Sequence, residues 1–138
     1  PDVIPGRRRV PLKIVFSQPN IAVVGDGWGH LGAYWCAGEV DYSDQGRSRC
    51  MNLNKGWVRL YARRDDGVLL GAEMFGPRVE HLAHLIAWSI ENRMAVDHAL
   101  SMPFYHPVVE EGLRTALRDL QRQVRAERPD VSVDEIGS

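Results

Sequence analysis

The sequence predicts an α+β domain in which an antiparallel β-sheet carries its helices packed on one face. Three observations predict it. Short strand-like segments fill the chain up to about residue 75, a helical period follows Gly76, and no alternation of strand and helix joins the two halves. Strands that come first and helices that come later favour an antiparallel sheet covered by helices on one side.

Length and composition fit a single domain. The chain has 138 residues, 44% of them hydrophobic and 25% charged, with a formal net charge of −1. One hydrophobic core is expected at this size. The near-neutral charge argues against nucleic-acid binding, and the absence of a long apolar run argues against a membrane span. We expect residues 1–11 to form a linker, 12–127 the domain, and 128–138 a flexible tail.

Five segments predict strands. Residues 57–62 alternate between two unlike faces, the period of two typical of a strand, and Asp65-Asp66-Gly67 supplies turn chemistry for a hairpin. Gly25 to Gly32 reads as a loop, and residues 43–54 read as polar and irregular. The predicted strands cover residues 12–16, 21–24, 34–42, 57–62 and 68–75.

Three helices are predicted after the strands. Residues 79–90 have apolar positions at helical spacing on more than one side, which predicts burial by the sheet and by a second subunit. Residues 96–101 predict a short helix. The last helix is expected to start with Pro107 at its first position, because proline suits a helix start.

Most candidate site residues have an ordinary structural explanation. His81 and His84 lie three residues apart, but a metal site needs a third ligand, and Glu80, adjacent in sequence, is expected to point elsewhere. We therefore predict no metal site. Cys36 and Cys50 fit neither a redox pair nor a zinc site and are expected to be reduced thiols in a cytoplasmic protein. Four scattered tryptophans favour core and interface packing, namely Trp28, Trp35, Trp57 and Trp88.

The segment around His106 is the exception. Pro103 and Pro107 restrict the backbone, and Glu111 lies five residues after His106, close enough to accept a hydrogen bond from the imidazole. Such a pair fixes the imidazole tautomer and can act as a general acid–base. The alternative is a helix start in which both residues only satisfy caps, and spacing alone favours that alternative.

Five motifs in order carry a family resemblance. Residues 106–111, HPVVEE, resemble the His-Pro-x-x-x-Glu signature of dihydrolipoamide dehydrogenase, glutathione reductase and mercuric reductase. Residues 14–25, IVFSQPNIAVVG, resemble the "VFTDPEIAxVG" opening of the same domain. Residues 54–60 resemble "ExxGFVKV", residues 70–77 resemble "ILGxxxxGP", and Glu80 follows where that family places a glutamate. The sequence thus resembles the C-terminal dimerisation domain of pyridine nucleotide–disulfide oxidoreductases, dihydrolipoamide dehydrogenase above all.

The resemblance implies a role in a larger homodimer. Complete family members hold FAD and NAD or NADP in other domains and use a redox-active cysteine pair near the N-terminus. By similarity, His106 is the acid–base catalyst and Glu111 orients it, both presented to the opposite subunit. Residues Phe104, Tyr105, His106 and Pro107 would lie near the partner's flavin. A 2-oxo acid dehydrogenase complex is a further partner implied in this way, and this chain alone is expected to bind no cofactor and to be inactive.

Three departures leave the substrate open. Val108 stands where the family usually has threonine, Phe104 replaces the first histidine of His-x-His-Pro, and the stretch from Gly25 to Gly46 lacks the usual helix. The alternatives are a reductase of glutathione or another thiol disulfide, and an assembly module in which His106 has no catalytic role.

Overall fold

A computed structural model describes residues 6–126 and confirms the α+β prediction. A five-stranded antiparallel sheet has the order β1-β2-β5-β4-β3, with helices on one face. The strands are β1 Leu12–Val15, β2 Asn20–Gly25, β3 Trp35–Asp41, β4 Trp57–Arg63 and β5 Leu69–Gly76. The helices are α1 Gly46–Cys50, α2 Val79–Glu91, α3 Val96–Ser101 and α4 Glu111–Ala126.

The core lies between the sheet and two helices. Helix α2 packs over β2 and β5, and helix α4 packs over β3 and β4. On β4, Val58 and Leu60 point into this layer and are fully buried, whereas Trp57 and Arg59 lie on the opposite, open face. The buried side chains of α4 recur at three- and four-residue intervals, as expected of an amphipathic helix; they are Leu113, Ala116, Leu117, Leu120 and Val124.

Gly38 brings α4 unusually close to the sheet. A Cβ atom at this position of β3 would overlap the backbone oxygen of Ala116 and the backbone nitrogen of Leu120. Only glycine leaves room for two backbones to approach so closely. The position of α4, and of the residues at its start, therefore depends on glycine at position 38, which has no side chain.

The open face of the sheet carries the glycine-rich loop of residues 25–32. The Glu73 carboxylate accepts hydrogen bonds from the Trp28 backbone N–H at 3.1 Å and from the Tyr61 hydroxyl at 2.6 Å. Trp28 lies edge-on to Trp35 at 5.2 Å between ring centroids, and Trp35 lies edge-on to Tyr61 at 5.5 Å. The loop is thus fixed by one carboxylate and an aromatic stack. Of the predicted core and interface packing, packing in the core is wrong, because three of the four tryptophans lie on this face and Trp88 is 66% exposed. Packing in an interface between subunits stays a prediction.

The segment predicted to be irregular is ordered. Residues Tyr42–Asp44 form a 3₁₀ turn and Gly46–Cys50 form α1. The Gln45 side chain caps α1 by accepting the Ser48 backbone N–H at 2.7 Å, and both Tyr42 and Ser48 are buried. A five-residue helix is too short to show a hydrophobic period, so periodicity does not predict it.

The predicted position of Pro107 is also wrong. Helix α4 begins at Glu111, and Pro107 follows a cis peptide bond outside the helix. The Glu111 carboxylate folds back to accept the Val108 backbone N–H at 3.1 Å. This is the reciprocal half of a capping box, and it places the cap at Val108.

The two chain ends are only partly described. Of the predicted linker, Val10 donates its backbone N–H to Glu91 at 3.1 Å, and Arg7 and Arg9 lie within ion-pair distance of the same carboxylate. Residues 1–5 and the predicted tail, 128–138, lie outside the described residues. Within residues 6–126, no helix is both long enough and apolar enough to cross a membrane.

Candidate functional site

His106 and Glu111 lie together at the start of α4. The His106 Nδ1 atom is 2.9 Å from Glu111 Oε1 and 3.0 Å from Oε2. The imidazole side chain is 80% exposed, whereas the carboxylate is 25% exposed. One ring nitrogen is thus occupied by a carboxylate, and the rest of the ring faces outward.

The Glu111 carboxylate serves the backbone as well as the imidazole. It accepts the Val108 N–H in addition to its contact with His106. The His106 hydrogen bond, followed by the Val108 N–H and the positive charges nearby, holds the pKa of Glu111 below its usual value. Glu111 therefore caps the helix and also hydrogen-bonds to the imidazole. The predicted acid–base role of the pair stays a prediction.

Two side chains distant in sequence hold the loop that carries His106. The Tyr42 hydroxyl donates to the Val109 carbonyl at 2.9 Å, and Gln45 Nε2 donates to the Val108 carbonyl at 2.8 Å. Burial, and then the charge of Glu110, raise the pKa of Tyr42, so the hydroxyl stays a donor. Local motifs miss both anchors, because nothing in the sequence around His106 marks residues more than sixty positions away.

The other predicted site residues flank the imidazole. Phe104 is half-buried against the core, and the Arg114 guanidinium lies 5.8 Å from its ring centroid, within cation–π range. Tyr105 is 79% exposed, and Pro107 is exposed after its cis bond. Phe104 anchors the segment from below, while Tyr105 and His106 project from it.

The histidines of α2, His81 and His84, both contact Glu80. His84 Nδ1 lies 2.6 Å from the Glu80 carbonyl oxygen, and within residues 6–126 no group of three or more metal-ligating side chains occurs. Glu80 does not point away from His81 as expected. Its Oε1 lies 3.6 Å from His81 Nε2, while Oε2 accepts from Asn20 Nδ2 at 2.8 Å.

The two cysteines lie outside the loop that carries His106, and their surroundings differ. Cys36 is buried on β3, Cys50 is exposed at the end of α1, and neither forms a disulfide. The two cysteines therefore form no disulfide pair within residues 6–126.

Comparison with known proteins identifies the domain. Residues 12–117 match the family model described as the pyridine nucleotide-disulphide oxidoreductase dimerisation domain. The chain belongs to this family.

Curated relatives of this dimerisation domain are much longer than the chain. It is 28% identical over 101 residues to dihydrolipoyl dehydrogenase of Geobacillus stearothermophilus, covering 71% of the chain and 22% of the relative. It is 26% identical over 121 residues to NAD(P)H dehydrogenase (quinone) of Mycobacterium tuberculosis strain H37Rv, covering 86% and 24%. The chain thus spans about a quarter of the length of these relatives.

Solved structures share the fold of the dimerisation domain. LpdA from Mycobacterium tuberculosis superposes with a TM-score of 0.74 at 24% identity, covering 85% of the chain and 26% of LpdA. A Cu(II) complex of the HOCl-induced flavoprotein disulfide reductase RclA from Escherichia coli gives a TM-score of 0.76 at 18% identity, covering 80% and 26%. At these identities the likeness establishes the architecture alone.

An apolar groove marks the side of the dimerisation domain next to His106. It has a volume of about 610 Å³ and lies between α2, the 102–105 segment and α4. Leu85, Trp88 and Met102 line it and are exposed. Exposed apolar side chains gathered on one side are typical of a surface that another chain covers, as expected of a domain in this family.

Proposed function

We propose that His106 and Glu111 form the acid–base pair of a complete pyridine nucleotide–disulfide oxidoreductase, and that they act on a dithiol bound at the opposite subunit. The observation that carries this proposal is the exposed imidazole whose Nδ1 is bound to Glu111. With a proton on Nδ1, Nε2 becomes the acceptor that faces outward. Within residues 6–126, Nε2 has no hydrogen-bond partner of its own.

The chemical task is to generate a thiolate. A free thiol has a pKa near 8.5, and the thiolate is the attacking species in disulfide exchange. Nε2 of His106 takes the proton of one substrate thiol, and the resulting sulfur attacks the redox disulfide of the partner subunit. That S–S bond breaks, and the released cysteine sulfur takes the proton from His106. Nε2 then takes the proton of the second substrate thiol, whose sulfur attacks the mixed disulfide, closes the substrate disulfide and releases the second cysteine sulfur, which receives this proton. The partner subunit is left as a dithiol that holds the two electrons.

FAD and a nicotinamide nucleotide complete the reaction in the full-length protein. When bound there, these cofactors would supply an acceptor for the two electrons and the means to transfer them as hydride. This chain's contribution fits such a cofactor held by another subunit, because Tyr105 and His106 project outward from a loop fixed by Tyr42 and Gln45. The exposed groove beside the loop would be covered in the homodimer.

The names of the relatives favour dihydrolipoyl dehydrogenase, which would oxidise dihydrolipoamide with NAD. Relatives with that name come from Geobacillus stearothermophilus and Haloferax volcanii, the latter 29% identical over 105 residues. A reductase of glutathione or another thiol disulfide uses the same acid–base pair with the electron flow reversed. The alternative to an enzyme is an assembly module in which His106 has no catalytic role. The hydrogen bond from the Val108 N–H to Glu111, which caps the helix, supports this alternative.

Replacement of His106 by glutamine in the complete oxidoreductase tests the proposal. We expect dithiol turnover to fall on the order of 100- to 10,000-fold, the usual contribution of a general acid–base, while the flavin absorbance remains. His98→Gln is the matched control, because His98 is an exposed histidine of α3 outside the loop. Turnover of His106→Gln within about threefold of the wild type, far from the loss expected of a general acid–base, would favour the assembly module.

A further inference from the structure

A second recess lies directly beside the loop that carries His106. It has a volume of about 260 Å³ and is lined by the side chains of Arg47, Arg78, His81 and Glu110 around the segment that starts at Val108. Val108 is two residues from His106, so their Cα atoms lie within about 7 Å of each other. A small molecule whose sulfur reaches His106 can therefore extend into this recess.

The recess has an excess of positive charge. Arg47 and Arg78 are exposed, and neither forms an ion pair within the part of the chain that the structure describes. By contrast, the neighbouring Arg49 pairs with Asp44 at 2.9 Å. Among the residues that line the recess, Glu110 is the acidic one, and two guanidinium groups outweigh it. The Glu80 carboxylate lies beside His81 but outside this lining, where Asn20 already donates to it. A guanidinium presents paired donors that match the two oxygens of a carboxylate.

The backbone at Arg78 is also unusual. Its φ angle is +59°, in the left-handed region that glycine adopts without steric cost. Arg78 borders the recess in spite of that strain. The residue also precedes α2, which leaves the side chain outside the helix.

We propose that this recess binds a carboxylate of the substrate whose sulfur reacts at His106. The inference rests on the proposed function and selects among its substrates. It favours a low-molecular-weight thiol or disulfide that bears a carboxylate, such as lipoate or glutathione, over the neutral amide of lipoamide. Arg47 and Arg78 hold the carboxylate, and the substrate chain runs past Val108 towards the imidazole.

Binding to this chain alone tests the recess without any turnover. Lipoate and lipoamide differ in charge and little in shape, so they are the two probes, observed by amide NMR at low and high salt. We expect lipoate to shift the amides of residues 108–110 and to bind about fivefold more tightly than lipoamide, the upper range for exposed ion pairs. Salt should remove the difference, because it screens exposed charges.

Two variants and a control make the binding test specific. Arg47→Gln with Arg78→Gln should abolish the preference for lipoate, and Arg78→Gly should weaken it while relieving the backbone strain. Arg118→Gln, an exposed arginine of α4 outside the recess, should bind like the wild type. Equal affinity of the wild type for both probes, or an unchanged preference in the double variant, overturns the proposal. Binding of inorganic phosphate without binding of lipoate would overturn it in favour of a phosphate site.

Turnover in the complete oxidoreductase separates this inference from the function on which it rests. The double variant should lower kcat/KM for dihydrolipoate about fivefold and leave that for dihydrolipoamide unchanged. If His106→Gln keeps full turnover, the acid–base proposal fails even where the recess binds lipoate. If His106→Gln is inactive but the ratio of the two substrates is the same in the double variant, the recess proposal alone fails.

Discussion

Two loops of this domain are each contacted by one glutamate that binds both a backbone N–H and a side chain, but they differ in which side chain that glutamate binds. Glu111 accepts one backbone N–H, from Val108, and contacts one side chain, the His106 imidazole. Glu73 likewise accepts one backbone N–H, from Trp28, and one side-chain donor, the Tyr61 hydroxyl. The same arrangement of hydrogen bonds, one with a backbone N–H and one with a side chain, therefore helps to fix both loops.

The difference lies in the side-chain donor. Tyr61 is fully buried, and its hydroxyl can do no more than hold the loop in place. His106 is 80% exposed and has a second ring nitrogen that a substrate can reach. A carboxylate that fixes a loop is thus a structural element by default. It becomes part of an active site only where the group it orients is exposed and able to exchange a proton.

The largest expected effect comes from two glycines, Gly38 against α4 and Gly71 against the start of the glycine-rich loop. Gly38→Ala should lower the free energy of unfolding by roughly 3 kcal/mol or more, because both backbone atoms in its way belong to α4 and cannot move independently. Gly71→Ala should cost less, about 1–3 kcal/mol, because the overlapping backbone is that of Asp26 in the glycine-rich loop. Urea unfolding of both variants measures this. A greater loss for Gly71→Ala would reverse our view of which loop is part of the rigid core.

The two glutamates should separate activity from stability. In the complete oxidoreductase, Glu111→Gln should lower dithiol turnover about tenfold, the lower range for a residue that orients a reacting group. Glu73→Gln should leave turnover unchanged and cost about 1 kcal/mol of unfolding free energy, since a buried donor loses a charged acceptor. Steady-state kinetics and urea unfolding on the same two variants make the comparison. A kinetic defect in Glu73→Gln as large as that in Glu111→Gln would remove the distinction between the loops.

Two smaller effects on the free energy of unfolding are expected, one from Glu111 at acidic pH and one from Tyr61 at alkaline pH. The pKa of Glu111 is lowered in the folded protein, so its contribution is present above the unfolded pKa and is lost as pH falls through the folded pKa. Burial, and then the hydrogen bond to Glu73, raise the pKa of Tyr61 from 10.0 to about 12, so its contribution is lost as pH rises across that interval.

Unfolding experiments with two variants check these signs. The difference in unfolding free energy between wild type and Glu111→Gln should narrow from about pH 7 to about pH 3. The difference between wild type and Tyr61→Phe should narrow from about pH 10 to about pH 12. A gap for Glu111→Gln that widens in acid would mean that the carboxylate is not stabilised by its partners.

Local patterns predict much of the fold. The hairpin of β4 and β5 follows from alternation and a turn glycine, and α3 has the bounds that its sequence suggests. The proximity of His106 and Glu111 follows from a separation of five residues at a helix start. In each case the interacting residues are close in sequence, so a local sequence pattern is enough to predict the contact.

Contacts between distant residues explain what the sequence does not predict. Tyr42 and Gln45 fix the His106 loop across separations of 67 and 63 residues, and Glu73 fixes Trp28 across 45. These contacts have no signature in a single sequence, since each depends on the register of the sheet and on where α4 crosses it. The predicted start of α4 at Pro107 is too early for a local reason. The Glu111 carboxylate accepts the Val108 backbone N–H, and the helix begins only at Glu111.

Hybrid dimers of the complete oxidoreductase test the central claim most directly. One subunit would carry His106→Gln with an intact redox disulfide, and the other would carry His106 with that disulfide removed. If His106 acts on the opposite subunit, each parent homodimer is inactive and the hybrid recovers dithiol turnover at one of its two sites. If the hybrid is as inactive as its parents while binding flavin, His106 does not act across the dimer, and its proposed role at the opposite subunit is contradicted.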